Sequence, residues 1–145
     1  QLQWKYDIIY LRHVFEHFLD LETVIQNLKN NLNNWGIIFI DVPFCESKST
    51  LNWSINDHPH IYHFTRKSLK HCLEENGFRA LNIQYIPRRD INITQIHLIN
   101  KIYLALLMLM RIPKYNSETD IKENTIYDLI GIFEMSNKDD KINNL

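Results

Sequence analysis

The sequence predicts an α/β fold in which strands and helices alternate. Two short apolar runs, residues 6–11 and 37–42, are rich in β-branched and aromatic residues, which is typical of strands buried on both faces. Between them, apolar side chains recur at three- and four-residue steps from Leu21 to Leu32, which predicts an amphipathic helix. Because short links join this strand, helix and strand, we expect parallel pairing with a right-handed crossover.

In the first part of the chain, capping and turn residues predict where each helix and strand begins and ends. Asp20 is the expected N-cap of a helix over residues 21–33. Residues 33–36 are predicted to form a turn before the second strand, which Pro43 stops. Residues 44–60 lack clear periodicity, so we interpret them as a loop that crosses the top of the sheet.

The second part of the chain continues the same architecture. Thr65 is predicted to cap a helix that ends at Gly77, a left-handed residue. The remaining predicted elements are strands over residues 78–86 and 126–135 and a very apolar helix over residues 93–110. Residues 1–136 are therefore expected to form one unit, and residues 137–145 a frayed polar tail.

Composition argues against several classes of partner. Lysine and arginine number 16 against 17 for aspartate and glutamate, so no basic field for nucleic acid is expected. Cys45 and Cys72 are too few for a disulfide framework and fit a reducing cytoplasm. The three glycines, Gly36, Gly77 and Gly131, are far apart, so the sequence contains no glycine-rich nucleotide loop.

Several segments, in order, resemble class I S-adenosylmethionine-dependent methyltransferases of the small-molecule kind. Residues 6–20, YDIIYLRHVFEHFLD, resemble the fourth strand of that family and the loop after it. Residues 32–43 resemble its fifth strand. Residues 60–69 and 75–78 resemble the family's later segments, which read "H...ft..sL" and "GF". The order and spacing of these matches make the resemblance more specific than any one of them alone.

The resemblance implies a partial Rossmann-like methyltransferase sheet. The family's sheet has the strand order 3-2-1-4-5-7-6, and this chain would supply strands four, five, seven and six, with flanking helices and residues 93–110 as a helical insertion. In the family, S-adenosylmethionine is held mainly by a glycine-rich loop after strand one and an acidic residue that ends strand two. Neither element is in this sequence. We therefore interpret the chain as the C-terminal half of such a domain, with no useful cofactor affinity by itself.

Residues at the ends of the parallel strands are the candidates for the site, because open α/β sheets bind ligands there. By resemblance, Leu11, Arg12 and His13 would flank the methionine part of S-adenosylmethionine. Methyl transfer is an in-line displacement, so a protein mainly positions the donor and the acceptor. His13 is also a candidate general base, because neutral imidazole is basic near pH 7. The alternative is a structural hydrogen-bonding role for this histidine.

The acceptor side is predicted from a second group of residues. Phe44 follows the second strand and is a candidate to line the acceptor pocket, with a core aromatic as the alternative. His60 and His63 are candidates for both substrate contact and catalysis. Glu16 and His17 occupy the family's "EH". Glu16 is expected to cap backbone amides, with direct catalysis as the alternative, and the same alternatives are open for His17.

No metal site is expected from the sequence. His58, His60 and His63 form the densest cluster of possible ligands, but the spacing His-x-His-x-x-His is not a strong zinc signature. Their alternative role is to hydrogen-bond the backbone of their own loop.

Several functional interpretations stay open at this point. The first is S-adenosylmethionine-dependent methyl transfer to a small-molecule acceptor, incomplete in this chain. The second is a non-enzymatic interaction module that pairs the open edge of its sheet with another chain or with itself. The third is another nucleotide-using α/β enzyme, such as a dehydrogenase. The apolar helix over residues 93–110 is either a lid over a hydrophobic acceptor or a contact with a membrane surface.

Overall fold

The computed structural model describes residues 5–56, 60–87 and 125–136. Its strands are β1 (Tyr6–Arg12), β2 (Leu32–Pro43), β3 (Phe78–Pro87) and β4 (Tyr127–Met135). Its helices are α1 (Leu21–Asn31), α2 (Lys48–Asn56) and α3 (Arg66–Glu75), and a short 3-10 turn spans Phe15–His17.

The four strands form one sheet in the order β1-β2-β4-β3. β1 pairs with β2 in parallel, as expected from the strand-helix-strand unit, while β4 runs antiparallel to both β2 and β3. This arrangement is the one predicted for strands four, five, seven and six of the Rossmann-like sheet. The α/β fold class is therefore confirmed.

The predicted helix caps are present. The Asp20 side chain accepts a hydrogen bond from the Thr23 amide at 3.0 Å, and α1 ends at Asn31, two residues before the predicted end. Thr65 forms a capping box at the start of α3. Gly77 has a φ of 83°, a left-handed conformation that a residue without a Cβ adopts at little cost.

One predicted loop is wrong, because α2 lies within residues 44–60. The buried positions of α2 are Thr50 and Ser54, which are small and polar, so the sequence shows no apolar period there. The Thr50 hydroxyl accepts a hydrogen bond from the Tyr127 amide at 3.0 Å and so connects α2 to β4. In α1 and α3, buried apolar side chains make the corresponding contact with the sheet.

Residues 33–36, which were predicted to form a turn before the second strand, belong to the strand itself. β2 begins at Leu32, directly after α1, and includes residues 33–36. Its pairing with β1 shifts there, since Tyr6 is opposite Leu32 while Ile8 is opposite Ile37. The extra residues therefore form an irregularity within the strand rather than a separate turn.

The core lies where α1 and α3 pack on the central strands. Its fully buried side chains include Ile25 of α1, Leu69 and Leu73 of α3, Ile38 and Ile40 of β2, and Leu129 and Phe133 of β4. Gly131 allows α3 to approach β4 closely, because a Cβ there would lie 3.2 Å from Leu69 Cδ2 and would clash with the Phe133 ring.

Several predictions fall on parts of the chain outside the described residues. These are the apolar helix over residues 93–110, the polar tail over residues 137–145, and His58. Among the helices that the structure does describe, none combines the length and the apolar character that a membrane crossing requires.

Candidate functional site

Charged side chains from three strands meet at one edge of the sheet. Arg12 ends β1 and pairs across the sheet with Asp41 of β2. Asp128 lies at the start of β4, which runs in the opposite direction and therefore reaches the same edge. The carboxyl ends of parallel strands are the usual ligand-binding edge of an open α/β sheet.

His13 lies at the centre of this edge, directly after β1. Its φ of 48° is in the left-handed region, which is uncommon for a residue with a side chain, and its amide donates a 2.8 Å hydrogen bond to the Asp41 carbonyl. The ring nitrogen Nδ1 is 3.3 Å from Glu16 Oε1, and Nε2 is 3.5 Å from Asp128 Oδ1. The backbone conformation thus turns the imidazole toward buried carboxylates.

These carboxylates change the protonation of the site. Burial lowers the pKa of His13, but the close contacts with Asp128 and Glu16 and the charges of Asp128 and Asp41 outweigh it and raise the pKa to about 9. Burial and the charge of Asp128 raise the pKa of Asp41 to about 6, against the opposing effects of His13 and Arg12. His13 is therefore a cation at neutral pH.

Glu16 connects this edge to the segment after α2. Its backbone carbonyl accepts hydrogen bonds from the amides of Ile61 at 2.9 Å and Tyr62 at 3.1 Å. These bonds hold the neighbouring His60 beside the 3-10 turn, with its Nε2 3.8 Å from Glu16 Oε1. His17 Nε2 lies at the same distance from that oxygen.

His60 and His63 share one hydroxyl group. Ser54 Oγ lies 3.0 Å from the Nδ1 atom of each ring. The Nδ1 atom of His60 is also 3.2 Å from the Ser54 carbonyl oxygen. A carbonyl can only accept, so this contact fits the tautomer of His60 that has a proton on Nδ1. The His60 side chain is 5% exposed, whereas His63 is an exposed residue.

Phe44, directly after β2, lies in an aromatic cluster. Its ring stacks on Tyr85 with a centroid distance of 4.6 Å and meets Tyr127 edge-on. The Arg66 guanidinium lies 5.8 Å from the centroid of the Phe44 ring. Phe44 is fully buried, and the substrate-binding role given to it from the sequence stays a prediction.

The structure brings together only part of the predicted site. Arg12, His13 and His60 lie around the charged edge, and His63 joins them through Ser54. The sequence reasoning missed Asp41 and Asp128. Each is an acidic residue inside an otherwise apolar strand, FIDVP and YDLI, and that interruption was the available signal.

An open groove runs along β1 on the side away from β2. It has a volume of about 500 Å³ and is lined by β1 and α1, including Ile8, Tyr10, Leu11 and Val24. Leu11, a predicted cofactor contact, is thus half-buried at this groove rather than within the histidine cluster. Within the described residues, β1 is an edge strand, so its outer backbone groups have no strand beside them.

Solved structures of other proteins share this fold. A candidate methyltransferase in complex with the Haloferax volcanii Trm112 methyltransferase activator aligns with a TM-score of 0.61 at 11% identity, covering 94% of this chain and 58% of that chain. A candidate methyltransferase from Bacillus halodurans gives a TM-score of 0.57 at 12% identity, covering 92% and 65%. The fold is thus the Rossmann-like fold of class I S-adenosylmethionine-dependent methyltransferases.

Sequence comparison then identifies the family. A profile described as a methyltransferase domain matches residues 1–83, and the chain belongs to this family. A tRNA U34 carboxymethyltransferase of Campylobacter jejuni is 28% identical over 93 residues, which cover 61% of this chain and 32% of that protein. The chain thus spans about a third of the length of that curated relative. The resemblance drawn from the sequence is confirmed at the level of the family.

Proposed function

We propose that this protein takes part in S-adenosylmethionine-dependent methyl transfer to a small-molecule acceptor, and that this chain supplies the acceptor-side half of the domain. The observation that supports the proposal most strongly is the cluster of His13, Asp41 and Asp128 at the ligand-binding edge of a methyltransferase sheet. A buried group of this charge density is costly for folding alone. Such groups therefore point to a functional site.

The cofactor would contact only a small part of this chain. Leu11, Arg12 and His13 are half-buried at the end of β1, so their backbone and side chains remain available to flank the methionine part. S-adenosylmethionine supplies an activated methyl group on a sulfonium ion. The glycine-rich loop and the acidic strand end expected for the remainder of its site would lie outside this sequence.

The histidines divide between different roles in this proposal. A pKa of about 9 keeps the His13 imidazole protonated at neutral pH, so we assign it an electrostatic role beside the acceptor rather than the role of general base. His63 is the exposed member of the pair on Ser54 and is the better placed to contact an acceptor. His60 is enclosed by Glu16, His17 and Trp53.

Two observations bear on the class of the acceptor. The sequence resembles small-molecule methyltransferases, whereas the Campylobacter jejuni relative acts on tRNA. The near balance of acidic and basic residues favours the small molecule, because binding to the tRNA phosphates requires a basic surface.

The test uses the full natural protein and methyl-labelled S-adenosylmethionine. Isothermal titration with S-adenosylhomocysteine is expected to show binding that Arg12→Gln weakens and that Lys70→Gln, at an exposed position of α3, does not. Incubation with a cell extract is expected to transfer the label to low-mass compounds. Label in tRNA would overturn the acceptor class, and no binding of S-adenosylhomocysteine would overturn the proposal as a whole.

A second candidate function is an interaction module that pairs through β1. The observation in its favour is the exposure of Tyr6, Ile8 and Tyr10, which are 47%, 57% and 50% accessible on an edge strand. Exposed apolar side chains on an unpaired edge favour strand addition from another chain.

A further inference from the structure

Three potential ligand atoms converge beside the 3-10 turn, and two of them belong to histidines that have no assigned contact with cofactor or acceptor in the proposed methyl transfer. They are Glu16 Oε1, His17 Nε2 and His60 Nε2, and all lie within 4.8 Å of one another. The carboxylate oxygen is 3.8 Å from each imidazole nitrogen. The two nitrogens come from segments more than 40 positions apart in the sequence, so the fold itself assembles the group.

The Glu16 carboxylate is the central feature of this group. Its side chain is fully buried, and neither oxygen forms a hydrogen bond of ordinary geometry with the residues that the structure describes. The nearest positive charge is that of His13, whose Nδ1 lies 3.3 Å from Oε1, but Asp41 and Asp128 share this charge. A buried carboxylate without hydrogen bonds is strongly destabilising unless positive charge compensates for it fully, so a further cation beside Glu16 would be stabilising. The 3.8 Å separations are too long for hydrogen bonds but leave room for an ion between the atoms.

The orientation of His60 also favours a cation. The Nδ1 atom lies 3.2 Å from the Ser54 carbonyl oxygen, which can only accept. The tautomer with its proton on Nδ1 fits this contact and presents the lone pair of Nε2 toward Glu16. A lone pair facing a carboxylate is repulsive when nothing lies between them. Metal-binding histidines commonly hold their other nitrogen against a backbone carbonyl in this way, which fixes the ring and its tautomer.

We propose that Glu16, His17 and His60 bind a divalent first-row metal ion, with Zn²⁺ as the best fit. Two imidazoles and one carboxylate are a recurrent donor set for zinc and for neighbouring transition metals, whereas Ca²⁺ and Mg²⁺ prefer oxygen ligands. Bonds of about 2.1 Å to a tetrahedral ion place ligand atoms about 3.4 Å apart. The observed 3.8 Å spacing therefore requires only a small inward movement of the side chains.

The same geometry leaves the ion one open coordination position. Three protein ligands with a free fourth position are typical of catalytic rather than structural zinc. His17 is 30% exposed, so the group is accessible from solvent. The sequence alone predicts no metal site, because His58, His60 and His63 do not have a zinc-like spacing. The set proposed here takes only His60 from that cluster and adds Glu16 and His17 from another segment.

The test is metal binding by the purified protein, stripped of metal with a chelator. Isothermal titration with Zn²⁺ is expected to show one site per chain, and His60→Gln and His17→Gln should each weaken it by about tenfold or more. Tetrahedral Co²⁺ should show the visible absorption bands of a nitrogen and oxygen donor set, and these bands should be lost in His60→Gln. None of these measurements requires S-adenosylmethionine.

The matched control is His71→Gln. His71 and Glu75 form an exposed pair on α3, Nδ1 to Oε1 at 3.7 Å, and are therefore the alternative surface site for a divalent ion. Binding that disappears in His71→Gln but persists in His60→Gln would overturn the proposal, as would the absence of Zn²⁺ binding at tens of micromolar. Circular dichroism checks the fold of every variant, and the partly exposed His17 provides the variant that is expected to stay folded.

Discussion

At the scale of single residues, the position of His13 decides the chemistry of the ligand-binding edge. A left-handed backbone conformation and a hydrogen bond to Asp41 direct its ring between Glu16 and Asp128. The raised pKa of about 9 favours an imidazolium ion at this position, whereas the sequence suggested a neutral base. The identity of the residue could be read from the sequence, but its protonation depends on carboxylates that only the fold brings near it.

We therefore expect His13 to titrate near pH 9. NMR of the imidazole nitrogens, measured in a chelator, should show it protonated at pH 7.5. Asp128→Asn removes a carboxylate 3.5 Å from Nε2 and should lower the pKa of His13. Glu75→Gln, which removes the exposed partner of His71, is the matched control and should leave it unchanged. A pKa of His13 below 7 in the unmodified protein would contradict this electrostatic picture.

The raised pKa of His13 also predicts how the free energy of unfolding depends on pH. Because the pKa of His13 is raised on folding, its contribution is complete below about pH 6.5 and is lost as the pH rises through about 9. A shift of this size corresponds to a contribution on the order of 3 kcal/mol. Urea unfolding of the chelated protein should thus give a free energy of unfolding that falls between pH 6.5 and 9, and by less in Asp128→Asn. An equal decline in the unmodified protein and in Asp128→Asn would show that the contact between His13 and Asp128 does not cause the pH dependence.

At the scale of elements, regular apolar patterns were sufficient to predict most of the fold. The strands β1, β3 and β4 and the caps at Asp20 and Thr65 agree with the sequence, because apolar period and capping chemistry act locally. The helix α2 could not be predicted in this way. Its buried positions are Thr50 and Ser54, which make polar contacts instead of forming an apolar face. Thr50 contacts Tyr127, 77 positions away, and Ser54 contacts His60 and His63 in the segment that follows α2.

The capping box of α3 is expected to stabilise the folded protein. Thr65 Oγ1 accepts a hydrogen bond from the Ser68 amide at 3.0 Å, so Thr65→Ala should lower the free energy of unfolding by about 1 kcal/mol. Lys67→Ala, at an exposed position of the same helix, should change it by less than about 0.5 kcal/mol. Chemical denaturation measures both, and equal effects in the two variants would show that the cap does not stabilise α3.

At the scale of the whole molecule, β1 exposes a row of large apolar side chains that no other described element covers. The groove along β1 and the accessible Tyr6, Ile8 and Tyr10 leave apolar area on an edge strand. Both functional proposals involve the unpaired side of β1. In the first it adjoins the remainder of a methyltransferase domain, and in the second it pairs with another chain.

Self-association is the property that this edge should control. If pairing through β1 occurs in the purified protein, Ile8→Lys should reduce the average mass in light scattering, because a charge on an edge strand opposes strand addition. Leu19→Lys is the matched control, since Leu19 is 85% exposed but lies in the connection between β1 and α1. A loss of association in Leu19→Lys alone would place the contact elsewhere, and a monomer at all concentrations would argue against the interaction module.

The central claim is that the end of β1 adjoins the methionine part of S-adenosylmethionine. Photolabelling of the full natural protein with methyl-labelled S-adenosylmethionine, followed by peptide mapping, tests it most directly. The expected result is label on the peptide that contains Leu11, Arg12 and His13, removed by competition with S-adenosylhomocysteine. Label that is confined to other peptides, or that competition does not remove, would contradict the claim.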